Sequence, residues 1–229
     1  MHAFLSAAAK HRTHKAVVVC MGRQTLLAMP QQQASSLQKV AIDFIARLEE
    51  RVPPFLEAVE NKLPIVQQYH ADHVCWRTET MPEYEELVQA LQAFSGARLL
   101  IESIVGGHLI ATFKLQRGIP CQRRNITILE IPSPKEGSPY ATGLEHVEFV
   151  IGMEDEKITT PINNDTHQST LDAFMESHKD LPWNTKAKQK RINPDVSFKL
   201  EVEDFGICLV KFHLLALEKV IEYEIAHEG

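Results

Sequence analysis

The sequence predicts an α+β protein in which paired β-α-β-β-β modules form one curved, bowl-like mixed sheet, preceded by an N-terminal helical region. Three observations carry this reading. Val40, Phe44, Ile45, Leu48 and Val52 recur at helical three- and four-residue steps. From Ala71 onward, β-rich runs alternate with Gly- and Pro-bounded turns. A short pattern also recurs, because Ala71-Asp72-His73-Val74-Cys75-Trp76 matches Leu144-Glu145-His146-Val147-Glu148-Phe149, 73 residues further on. Apolar–acid–His–Val–x–aromatic opens each copy, and similar elements follow both, which points to an internal duplication.

The helical pattern runs from Gln38 to about Gln68. Pro53-Pro54 is expected to break or kink it, leaving a second helix from Phe55 that Pro64 disturbs. Ala71–Thr78 reads as a strand and Pro82–Phe94 as a helix, with Pro82 suited to a first helical turn and Gly96 to a stop. Strands follow at Arg98–Val105, His108–Leu115 and Asn125–Ile131, the first two joined by a hairpin at Gly106-Gly107. Pro132, Pro134, Gly137 and Pro139 mark a linker. Beyond it come a strand at Glu145–Ile151, a helix at Ser169–His178 and a short strand near Ala187–Arg191. A hairpin of Val196–Val202 and Ile207–His213 precedes a closing amphipathic helix at Leu215–Ala226. The domain is therefore expected over 38–229, with modules at about 70–136 and 140–214.

Residues 1–37 form a basic extension, and the chain has no acid before Asp43. Its Lys, Arg, Ala, Ser and Gln resemble an organellar transit peptide; the plainer alternative is a disordered extension. Localisation follows: cytoplasmic, or mitochondrial or plastid if that segment is a targeting signal. The net charge of −6 argues against nonspecific nucleic-acid binding, and no apolar run is long enough for a membrane span. Four cysteines without a C-x-x-C pair argue against a zinc finger or a disulfide framework. With both modules in one chain, either a monomer or a homodimer is compatible with a complete cleft.

Alternate strand residues share a face, so His73 lies with Cys75 and Arg77, and His146 with Glu148. If the copies are related by a two-fold axis, His73 and His146 face each other across the cleft. Imidazoles and carboxylates can hold a divalent ion while leaving positions free for substrate oxygens. A lone strand histidine is more often a packed core residue; the duplication is what favours ligation here.

Five separated motifs occur in order: Ala71-Asp72-His73-Val74 with Arg77, Leu129-Glu130-Ile131-Pro132-Ser133-Pro134, Gly143-Leu144-Glu145-His146-Val147-Glu148, Asn193-Pro194, and Lys211-Phe212-His213. On these the chain from about 40 to 225 resembles the bacterial YecM family, within the vicinal oxygen chelate superfamily of glyoxalases, bleomycin-resistance proteins and extradiol dioxygenases. The resemblance implies metal ligands on the first and last strand of each module. They would be His73, His146 and Glu130, with His213 standing where a glutamate is usual. Zn, Fe, Ni or Mn would suit such a set. Glu148 would then be a general base, Arg77 a clamp for an anionic group, and Lys211 an added positive charge.

The leading expectation is a metal-dependent isomerase, lyase or dioxygenase acting on a small oxygenated, anionic molecule. The alternative is a metal-free small-molecule binder of the bleomycin-resistance type. A third reading is an interaction protein with a degenerate site, its N-terminal helices docking a partner.

Overall fold

The computed structural model describes residues 31–137, 140–153 and 155–228; most of the basic extension lies outside them. Helix α1 spans Gln31–Lys62 and takes in the last residues of that extension. Its buried face is Leu37, Ala41, Phe44, Leu48, Val52, Phe55, Leu56 and Val59. Pro53 and Pro54 do not interrupt it. They deprive the carbonyls of Glu49 and Glu50 of helical donors, but both residues are exposed, so water can replace the lost bonds. Val52, Phe55, Leu56 and Val59, all at 2% exposure or less, meanwhile tie both halves to the core.

A 3-10 turn (Pro64–Gln68) leads into strand β1 (His70–Arg77), and helix α2 (Met81–Ala93) follows. Thr80 caps α2 by accepting from the Glu83 N–H. Strands β2 (Ala97–Val105), β3 (His108–Cys121) and β4 (Arg124–Pro132) complete the first module. Gly106 (φ 62°) and Gly107 (φ 92°) supply the two left-handed residues that a tight hairpin needs. Strand β3 outruns its expected end at Leu115, because a register shift between Lys114 and Ile119 lets pairing with β4 resume.

The second module comprises β5 (Gly143–Val150), α3 (Asp165–Ser177), β6 (Asp195–Val202) and β7 (Gly206–His213), followed by α4 (Leu217–Glu228). Residues 186–189, within the expected short strand, form a 3-10 turn instead. The side chains of Asn163 and Gln168 occupy the carbonyls of Lys188 and Lys190, bonds that a neighbouring strand would otherwise supply. A single bridge from Asn184 to Ser197 lies beside β6.

The seven strands form one mixed sheet in the order β2-β3-β4-β1-β5-β7-β6. Strands β1 and β4 are parallel, β5 and β7 are parallel, and β1 meets β5 antiparallel at the centre. The central register pairs Val74 with Val147, His73 with Glu148 and Cys75 with His146. Residues 73 apart thus exchange places across the junction, which is a local two-fold relation between the modules. One face of the sheet is apolar: Val74, Trp76, Val147, Phe149, Val210 and Phe212 are all nearly fully buried there. Phe44 of α1 meets Trp76 edge-on, and Phe212 is ringed by Tyr69, Phe149, Phe174, Trp183 and Phe198. The opposite face carries the site.

Candidate metal centre

Neighbouring residues on a strand normally point to opposite faces. Asp72 and His73 escape this rule because the β1–β5 register shifts between Ala71 and His73, leaving Asp72 without a cross-strand partner. A second shift, between Cys75 and Trp76, does the same for Glu145 on β5. Such bulges turn a side chain aside. Here each swings an acid beside the histidine that follows it. Asp72 Oδ2 lies 2.8 Å from His73 Nδ1, and Glu145 Oε2 lies 3.6 Å from His146 Nδ1. Asp72 also accepts from the Leu217 N–H at the start of α4, at 2.9 Å. The carboxylate keeps the proton on His73 Nδ1 and leaves Nε2 free, a tautomer suited to metal ligation.

His73 Nε2 is buried without a hydrogen-bond partner. It points at two carboxylates, Glu148 Oε1 at 3.4 Å and Glu130 Oε2 at 3.6 Å. His146 Nε2 reaches the same two oxygens, at 3.2 Å and 3.4 Å. The two imidazole centroids are 5.9 Å apart. A tetrahedral ion with bonds of 2.0–2.2 Å separates its ligand atoms by about 3.3–3.6 Å. The four N···O separations match that spacing, and N₂O₂ donors suit a borderline first-row divalent ion. His73, Glu130, His146 and Glu148 therefore fit a single metal ion.

The electrostatics of the group without an ion are those of a cation site. Burial disfavours charge on His73, yet Glu148 and Glu130 hold its pKa well above the usual histidine value. Burial and the Lys211 ammonium act against His146, whose pKa is nevertheless raised by Cys75 and Glu130. Burial would raise both glutamates; His73 instead holds Glu130 well down, and Lys211 followed by His73 does so for Glu148. Lys211 Nζ donates to Glu148 Oε1 at 2.5 Å and lies 3.3 Å from His146 Nε2.

His213 stands one step outside these four. Its ring centroid is 5.9 Å from that of His73, and its Nε2 is 3.6 Å from Asp72 and 3.9 Å from Glu148. Asn193 fixes its tautomer. The Asn193 carbonyl oxygen accepts from Leu215 N–H while its amide donates to the Leu215 carbonyl and to His213 Nδ1. His213 Nδ1 is thus an acceptor and Nε2 carries the proton, directed toward the carboxylates. Burial lowers the pKa of His213, in keeping with a neutral ring. Arg77 pairs with Glu145 and lies over the Tyr140 ring at 4.2 Å. Against the effect of burial, His146 and Arg77 hold the Glu145 pKa down to about 2.

The structure thus brings together His73, His146, Glu130 and Glu148, with Lys211 in contact. Asp72, Glu145 and Asn193 had no assigned role in the sequence reading. The acids are part of the repeated motif, and the Asn193-Pro194 pair was noted, but none of these three follows from strand parity.

The family model described as YecM protein matches residues 38–224. The chain belongs to the YecM family. No curated protein matches it. A solved structure described as "Structural Genomics, Protein EC4020" is similar to this YecM-family chain, with a TM-score of 0.56 at 21% identity. The likeness covers 86% of this chain and 97% of that one, and at this identity it speaks to the fold alone. No described helix of the YecM-family chain is long and apolar enough to cross a membrane.

Proposed function

We propose that the chain is a metal-dependent enzyme of the vicinal oxygen chelate type, acting on a small, oxygenated, anionic molecule. The observation that carries this reading is the set of four N···O separations of 3.2–3.6 Å among His73, His146, Glu130 and Glu148. The paired modules support the superfamily assignment, as do candidate ligands on β1, β4 and β5. These four residues would hold Zn, Fe, Ni or Mn, and the ion would supply Lewis acidity toward a substrate oxygen. Glu148 then serves as a ligand rather than as the free base expected from its position. His213 is a hydrogen-bond donor behind it rather than a ligand, because ligation through Nε2 would undo the Asn193 clamp. Arg77 positions Glu145, and through it His146, instead of gripping substrate. Two carboxylates neutralise a divalent ion, so the adjacent Lys211 leaves one positive charge for an incoming anion.

Metal analysis of protein purified without chelator, compared with the His73→Ala/His146→Ala double variant, tests the proposal. We expect roughly stoichiometric metal in the parent and little in the variant; equal content would end the metal reading. One observation favours the alternative of a metal-free binding protein: Lys211 already bridges Glu148 and His146. Ligand binding indifferent to EDTA would support that alternative.

A further inference from the structure

We infer that Lys211 is a tethered cation that competes with the metal ion for Glu148 and His146, and so limits how tightly this site holds a metal. The inference rests on the metal reading above and adds what governs occupancy.

The local two-fold relation shows where Lys211 stands. On the first module, Glu130 of β4 is paired in register with Cys75 of β1. On the second, Lys211 of β7 is paired in register with Glu148 of β5. Cys75 and Glu148 are counterparts in the repeat, lying 73 residues apart. Lys211 is therefore the counterpart of Glu130. Where strict symmetry would put another carboxylate, this chain puts an ammonium. Symmetry would give a site of three carboxyl and imidazole ligands plus a fourth from β7; the chain instead recruits Glu148, at the position of Cys75, and carries its own cation.

That cation is attached to two of the four candidate ligand atoms. Its Nζ reaches Glu148 Oε1 at 2.5 Å and lies 3.3 Å from His146 Nε2. A bond from the ammonium to Nε2 uses the lone pair that a metal would need. With Lys211 in place, an ion on the same atoms would face a unit charge at contact distance. Entry of the metal thus requires Lys211 to swing away. The backbone of β7 cannot yield, since Phe212 beside it is fully buried among aromatic rings. The side chain can, because its flexible stem and 20% side-chain exposure give it a way out toward solvent.

The test compares Zn(II) titrations of the wild-type protein, Lys211→Met, Lys211→Gln and Lys211→Arg, each with a thermal melt with and without Zn(II). Removing one contact charge should tighten Zn(II) binding by about tenfold or more in both neutral variants. Lys211→Arg should stay close to wild type. Without metal, both neutral variants should melt below the wild type, because Glu130 and Glu148 lose their counter-ion; Zn(II) should restore them by a larger shift than it gives the wild type. Should Lys211→Met fail to fold without metal, the polar Gln variant carries the comparison. Equal or weaker Zn(II) binding by the neutral variants overturns the competition while leaving the metal reading standing. Absence of binding by every protein overturns both.

Discussion

Replacing Asp72 with Asn tests whether the first acid of the repeat prepares His73 for a metal. One oxygen, Asp72 Oδ2, accepts from His73 Nδ1 at 2.8 Å and from Leu217 N–H at 2.9 Å. Asn keeps the shape and can put its amide oxygen at that spot, so the change removes charge and little else. Charge-assisted hydrogen bonds are worth roughly twice neutral ones, so each of the two bonds should lose about 1 kcal/mol. The total of about 2 kcal/mol corresponds to roughly 30-fold in an equilibrium constant, inside the 10–100-fold range known for groups that orient a ligating histidine. Isothermal titration with Zn(II) reads the affinity, and urea denaturation of the metal-free protein reads the stability. Burial raises the Asp72 pKa, but His73 and His213, with the Leu217 N–H, lower it on balance. The stabilising charge is therefore present above the ordinary aspartate pKa and lost as pH falls through the lower folded value. The stability gap between variant and parent should close in acid. A folded Asp72→Asn protein that binds Zn(II) within twofold of the parent would refute the argument.

Two further outcomes follow from the geometry. Phe212→Ala removes the ring at the centre of the aromatic cluster and should cost about 3–5 kcal/mol by denaturant unfolding. Because Lys211 and His213 flank it, surviving protein should also show altered Zn(II) affinity. Glu145→Gln should flatten the acid limb of the stability curve. The folded pKa of Glu145 is held to about 2 against a model value of 4.5, so its contribution is complete above pH 4.5 and fades as pH falls toward 2. Part of that shift is screened, since Arg77 is one-third exposed, leaving about 1–2 kcal/mol of difference at neutral pH in urea melts. Parallel pH profiles for the two proteins would contradict it.

The repeated motif in the sequence was enough to place His73 and His146 on duplicated strands and to imply an α+β sheet with two halves. Alternation then assigned Glu148 and Cys75 to the same side. Glu130 entered by resemblance, since nothing local distinguishes it from an ordinary strand-end acid. Lys211 as its counterpart was not legible by offset. Glu130 follows His73 by 57 residues, whereas Lys211 follows His146 by 65, because the loops of the two modules differ in length.

Sequence by itself determined what is periodic: the helical face of α1, the alternating faces of β1 and β5, and the duplication that joins them. Tertiary structure alone decided what depends on register and on competition between contacts. It carried α1 through Pro53-Pro54, because apolar burial outweighed two lost backbone bonds. It turned Asp72 and Glu145 onto the histidine face, because a bulge is a property of paired strands and not of one strand's pattern. It also set Lys211 among the carboxylates, because the meeting of β7 with β5 is fixed by Phe212 and its aromatic neighbours, which are distant from one another in sequence.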